Sequence, residues 1–141
     1  MAKVKRILEI VRNYPFSVAC IVAVWALSLT PFFPETPFDK IAFIDKWTHF
    51  VMYGGTTLVI WCEYRYRHRH PHYRQLALWG WLAPVLMGGL LELLQAYATT
   101  TRNGDWLDFV ANALGATLGA AAGRGFYLLH DFAHTKKTED E

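Results

Sequence analysis

Residues 76–97 read LALWGWLAPVLMGGLLELLQAY. No charged side chain occurs before Glu92, and no polar stripe runs along the segment. A helix of a soluble bundle keeps one polar face; this segment is apolar on all sides. It also has the length required to cross a bilayer, about 20 residues at ~1.5 Å each. The stretch therefore predicts a membrane-spanning helix.

Three more apolar blocks flank it, at residues 16–33, 47–62 and 106–129. Between 16 and 29 the only hydroxyl side chains are Ser17 and Ser28. The first block follows a basic start (Lys3, Lys5, Arg6, Arg12), as a signal peptide would. It is longer than a usual signal core, and Pro31, Pro34 and Pro37 follow it in place of a cleavage motif. It reads as an uncleaved signal anchor. Trp47, Trp61, Trp79, Trp81, Trp106 and Tyr97 fall near block ends, where aromatic rings favour the headgroup level. The expected fold is all-α, a four-transmembrane-helix bundle occupying 1–134, with a disordered charged tail at 135–141.

With 141 residues, 53% of them hydrophobic and 18% charged, the chain is one domain and too apolar for a disordered one. No basic run interleaved with aromatics marks a nucleic-acid surface. Cys20 and Cys62 both belong to apolar blocks and make neither a disulfide framework nor a zinc spacing. His68, His70 and His72 alternate in a basic loop that reads as a solvated anchor for anionic lipid heads.

Orientation follows from the basic residues. Lys3, Lys5, Arg6 and Arg12 precede the first block. Arg65, Arg67, Arg69 and Arg74 lie between the second and third, and Arg124, Lys136 and Lys137 end the chain. Only Lys40, Lys46 and Arg102 fall on the other side. This bias places the N-terminus, the middle loop and the C-terminus in the cytoplasm.

The remaining polar residues then converge on the outer side. Asp45, Lys46 and His49 open the second block; Glu92 and Gln95 lie near the end of the third; Arg102, Asp105, Asp108 and Asn112 surround the start of the fourth. Asp45, His49 and Tyr53 share a helix face, as do Gly88, Glu92 and Gln95. Asp105, Asp108, Asn112, Gly115, Gly119 and Gly123 form one stripe, polar above and glycine-lined below, which permits close helix approach. Glu92 lies about 7 Å inside its block by helix rise. An ionised carboxylate facing lipid there is costly, so it faces the bundle; Arg102 is the expected partner. A purely structural role, pairing helix ends in register, competes with a ligand pocket. A metal held by His49, Glu92 and Asp108 is disfavoured by the cations Lys46 and Arg102, so no metal or cofactor is expected.

At these residues the chain resembles the VanZ-like family of small membrane proteins. The matching segments are Asp45-Lys46-Trp47-Thr48-His49-Phe50 with Tyr53-Gly54, then Glu92-Leu93-Leu94-Gln95, then Arg102, Asp105, Asp108, Asn112 and Gly115. Together they span about residues 45–119 in the family's order and spacing. The resemblance implies a multi-pass protein of the bacterial cytoplasmic membrane. The family is named for a protein that lowers susceptibility to the glycopeptide teicoplanin, and its biochemical activity is unsettled.

Three function classes follow. A binder or modulator would engage an envelope lipid, a lipid-linked cell-wall precursor or a glycopeptide, with Lys46 and Arg102 holding phosphate or carboxylate. An enzyme on an envelope lipid or glycan would use His49 with Glu92 or Asp108 as acid/base groups, but no nucleophile motif accompanies them. A transporter would need more helices or a dimer. The absent nucleophile favours the binder.

Overall fold

The structure, a computed structural model, describes residues 2–30, 43–68, 70–98 and 104–139, with backbone alone at 2, 98 and 130–139. It is all-α; among the described residues no strand occurs and five helices form. The first helix, α1 (Ala2–Asn13), was expected to be only a basic leader. It ends because Pro15 disfavours helical backbone at Tyr14, which takes φ −131° and ψ 54°. Pro15 then opens α2 (Pro15–Leu29), a position where its missing N–H costs nothing. The two axes bend by 100°. α2 ends four residues before the expected limit of 33, and residues 31–42 lie outside the described part.

α3 (Ile44–Arg67) begins after Phe43, whose φ of 60° is left-handed. It outruns the expected 47–62 at both ends because its terminal polar residues find partners, described below. α4 runs unbroken from Tyr73 to Ala98 as two α-helical stretches (Tyr73–Ala77 and Ala83–Ala98) joined by a π-helical turn, Leu78–Leu82. Pro84 explains the turn: it has no N–H for the carbonyl four residues back, which is Gly80. The Trp61 indole donates to that oxygen instead, at 3.1 Å. Trp61 is therefore buried and bonded between helices, and not part of an interfacial belt as expected.

α5 (Trp106–Glu139) continues past the expected 129, so 135–139 are helical where a disordered tail was expected. Its start is capped by Asp105, whose Oδ1 accepts from the Leu107 N–H at 2.9 Å. α5 packs chiefly on α3. The glycine stripe lies in that contact: a Cβ on Gly115 or Gly119 would collide with the carbonyl oxygens of Phe50 or Gly54, and one on Gly123 would stand 2.6 Å from Trp61 Cβ. Gly54 shares the approach; at its neighbour Gly55 a Cβ would have nothing within 4 Å.

Two inner locks complete the bundle. The Tyr127 hydroxyl donates to the Trp61 carbonyl, and Trp61, Leu76, Ala120 and Tyr127 form a core cluster. The buried Glu63 carboxylate caps α2, accepting from Phe16 N (3.1 Å), Ser17 N (2.8 Å) and Ser17 Oγ (2.6 Å). A second core cluster, Val24, Tyr53 and Leu91, joins α2, α3 and α4.

Polar side chains share the interior with the two apolar clusters, while many large apolar residues face out. Asn112 and Thr57 are fully enclosed, whereas Leu86, Leu93, Leu118 and Leu129 are more than half exposed. One helix, Tyr73–Tyr97, is by itself long and apolar enough to cross a membrane, and α1 with α2 meets the same test only as a bent pair.

Candidate functional site

Three helices bring their polar residues together at one end of the bundle. His49 stands on α3 one turn above the buried Tyr53 and one turn below Asp45. Its Nδ1 lies 3.1 Å from Asn112 Oδ1 on α5. An amide oxygen only accepts, so Nδ1 carries the proton and donates. The Asn112 amide then points Nδ2 at Glu92 Oε1 on α4, a long contact of 3.5 Å. Glu92 Oε2 accepts from the Asp105 N–H at 3.1 Å. Gly104 allows this approach, since a Cβ there would lie 2.9 Å from Ala96 Cβ. A relay from His49 through Asn112 to Glu92 thus ties three helices together, and Asn112 is fully enclosed at its centre.

The relay fixes the imidazole. With Nδ1 engaged, Nε2 faces Asp45 Oδ1 at 3.8 Å and Asp108 Oδ2 at 3.9 Å. Both distances exceed a hydrogen bond, so the Nε2 position is oriented but uncommitted. One oxygen each from Asp45 and Asp108 and one nitrogen of His49 lie within 4.8 Å of one another. These are the residues that could hold a divalent cation, with contraction to the usual bonds of about 2.0–2.2 Å. Lys46, read from the sequence as repelling a metal, binds Asp108 Oδ1 and leaves Oδ2 to face His49.

Lys46 Nζ lies 2.8 Å from both Asp105 Oδ2 and Asp108 Oδ1. The Lys46 ammonium, and after it the Leu107 N–H, hold the Asp105 carboxyl below its ordinary 3.8. Two of the three ammonium donors are thus engaged with Asp105 and Asp108, and one remains for a ligand.

Comparison with protein-family models, with curated proteins and with solved structures yields no match. The site is therefore described from its own chemistry.

Of the residues singled out in the sequence, Asp45, Lys46, His49, Glu92, Asp105, Asp108 and Asn112 meet at one place. Tyr53 adjoins them: its ring edge and the Asn112 amide both border Gly88. The Tyr53 hydroxyl is buried and has no hydrogen-bond partner among the described residues. Gln95, expected on the pocket face, instead donates to the Ser28 carbonyl of α2 at 2.7 Å. Arg102, the expected partner of Glu92, lies outside the described residues.

Two grooves flank the cluster. One, about 460 Å³, runs between α3 and α5 below Lys46 and is walled by Phe43, Trp47, Phe50, Leu107, Val110 and Leu114. The other, about 290 Å³, lies between α4 and α5 and includes Glu92, Tyr97, Asp105 and Phe109. The sequence did not single out the apolar walls, because an apolar groove residue and a lipid-facing one look alike. It also missed Glu63, whose only signal is a carboxylate among arginines at the inner end of a block.

Proposed function

We propose that this chain is a VanZ-like protein of the bacterial cytoplasmic membrane that binds or modulates an amphiphilic envelope component at its outer face. In this reading α2 to α5 are four spans with both termini in the cytoplasm. The distribution of polarity supports it: Asn112, Thr57, Gln95 and Asp108 are enclosed, while Leu86, Leu93, Leu118 and Leu129 are more than half exposed, an arrangement a water-soluble bundle does not favour. The polar cluster then lies at the outer ends of the spans.

One observation carries the binding role. A pre-oriented polar cluster borders an apolar groove that continues down the α3–α5 seam. This suits a ligand with a polar head and a hydrocarbon chain, such as an envelope lipid, a lipid-linked cell-wall precursor or a lipoglycopeptide. Among the described residues the cluster has four carboxylates (Asp45, Glu92, Asp105, Asp108) against the single lysine and one imidazole. That balance favours hydrogen-bond donors or an amine on the ligand head over a phosphate.

A second reading is an enzyme, favoured by the oriented Nε2 of His49 between two carboxylates. Such an imidazole can accept a proton from water and return it to a leaving group. Among the described residues no serine or cysteine stands in the cluster to act as nucleophile, which keeps binding ahead.

The test is a screen of the purified protein against labelled envelope lipids and precursors. Saturable binding lost in His49→Ala and Glu92→Gln, with unchanged folding, supports the binder. Turnover lost in the same variants moves the assignment to the enzyme. Binding unaffected by both substitutions would remove the site from the function.

A further inference from the structure

We propose that α1 is an interfacial helix that lies on the anionic cytoplasmic leaflet, perpendicular to the bundle, with one apolar stripe in the acyl region. The proposal rests on the membrane-spanning reading above and adds a lipid contact at the opposite end from the candidate pocket.

The sequence of α1, AKVKRILEIVRN, puts Val4, Ile7, Leu8 and Val11 on one face at steps of three and four. Nothing described covers that face: Val4, Ile7 and Leu8 are each about 60% exposed, at 61%, 59% and 63%. Lys3, Lys5, Arg6, Glu9 and Arg12, all exposed, occupy the rest of the circumference together with Ile10, which widens the apolar stripe on the Lys3 side. Four cations against one carboxylate complement anionic headgroups and would repel one another in a protein groove. A large apolar moment beside a basic face, in a helix of low overall hydrophobicity, is the composition that settles at a bilayer surface.

The fold sets the direction. The 100° bend at Tyr14–Pro15 turns α1 across the axis of α2. Glu63 fixes that bend by capping Phe16 and Ser17. Arg67 Nη2 reaches the Arg12 carbonyl at 3.4 Å, tying the end of α1 to the end of α3. That same end carries Arg65, Arg74 and Arg124, the last stacked over the Tyr73 ring at 5.8 Å. If α2 crosses the bilayer, α1 must run along its surface, at the level where the basic residues of the other helices gather. Each such basic residue near an anionic surface favours binding by about fivefold.

The test uses the full chain with Cys20→Ser and Cys62→Ser, spin-labelled at Leu8→Cys or Glu9→Cys. It is reconstituted in nanodiscs of phosphatidylcholine alone or mixed with phosphatidylglycerol. In the mixed discs the Leu8 label should be reached by oxygen and shielded from a water-soluble nickel chelate, and the Glu9 label should show the reverse. The contrast should weaken in phosphatidylcholine, in high salt, and in Lys3→Glu/Lys5→Glu/Arg6→Glu. Two labels equally open to the nickel chelate in both discs would overturn the proposal. So would spin–spin broadening at Leu8 that ignores lipid composition, which assigns the stripe to a second copy of the chain. Failure to enter the discs at all would remove the spanning reading. Co-sedimentation with the same lipids as vesicles then decides α1 alone, and binding that does not depend on phosphatidylglycerol overturns it too.

Discussion

Gly119→Ala and Gly55→Ala are the same chemical change on the two helices that share the main seam, and the geometry gives them opposite signs. Alanine is about 1 kcal/mol more favourable than glycine inside a helix. At Gly55 a Cβ meets nothing within 4 Å, so the substitution should stabilise by up to about 1 kcal/mol. At Gly119 the Cβ collides with the Gly54 carbonyl oxygen and lies 3.1 Å from Gly54 C and Thr57 Cβ. Those are backbone and branched-side-chain atoms that cannot rotate away. Relief requires α5 to move off α3, and such overpacking costs roughly 1–3 kcal/mol, sometimes more. The propensity gain offsets part of it, leaving a net loss on the order of 1 kcal/mol, or about 2 kcal/mol between the two variants. Denaturant titration in detergent micelles measures both. Gly119→Ala as stable as the parent, or Gly55→Ala equally destabilised, would refute the seam described above. Gly119→Leu should be more damaging than Gly119→Ala, and Ala121→Leu, on the exposed face, nearly neutral.

Glu63→Gln should destabilise by about 2 kcal/mol, since one amide oxygen replaces a charged acceptor of three hydrogen bonds at a helix start. A double-mutant cycle with Ser17→Ala should show coupling; additive losses would mean Glu63 does not cap α2. Trp61→Phe leaves the Gly80 carbonyl without its donor and should cost about 1–3 kcal/mol. Pro84→Ala restores an N–H within reach of Gly80, so the loss from Trp61→Phe should shrink in that background; an unchanged loss would detach Trp61 from the π-turn. The Lys46–Asp105 pair sets an acid limit. Asp105 has its pKa lowered, so its contribution is present above 3.8 and lost as pH falls through the lower folded value. Thermal melts across acid pH should show that edge flattened in Lys46→Gln; an unaltered profile would show that the pair adds no stability.

What the sequence made legible was periodic. Steps of three and four put Asp45 beside His49, and Asp108 and Asn112 above the glycines, and the structure keeps those faces. What it hid depends on partners distant in the chain. Pro84 marks an irregularity in α4, but the donor that answers it is Trp61 on another helix. Gln95 shares a face with Glu92 by spacing, yet α2 ends close enough for its Ser28 carbonyl to take the amide. Lys46 reads as a free cation until Asp105 and Asp108 are seen beside it. Pro15 is the local signal for the α1–α2 break.

These locks have separate addresses, and that bears on how the candidate site can be tested. The α3–α5 seam is closed by glycines in its middle. At the end away from the polar cluster the Trp61–Gly80, Tyr127–Trp61 and Glu63–α2 bonds hold four helices together. None of these bonds involves Asp45, His49 or Glu92. A bundle clamped in this way does not depend on the clustered end alone for register. Asn112 is the exception, because it is fully enclosed and bonds to α3 while reaching α4. Substitutions at the edge of the cluster, His49 and Asp45, therefore report on function more cleanly than substitution of its centre, where loss of binding and loss of packing coincide.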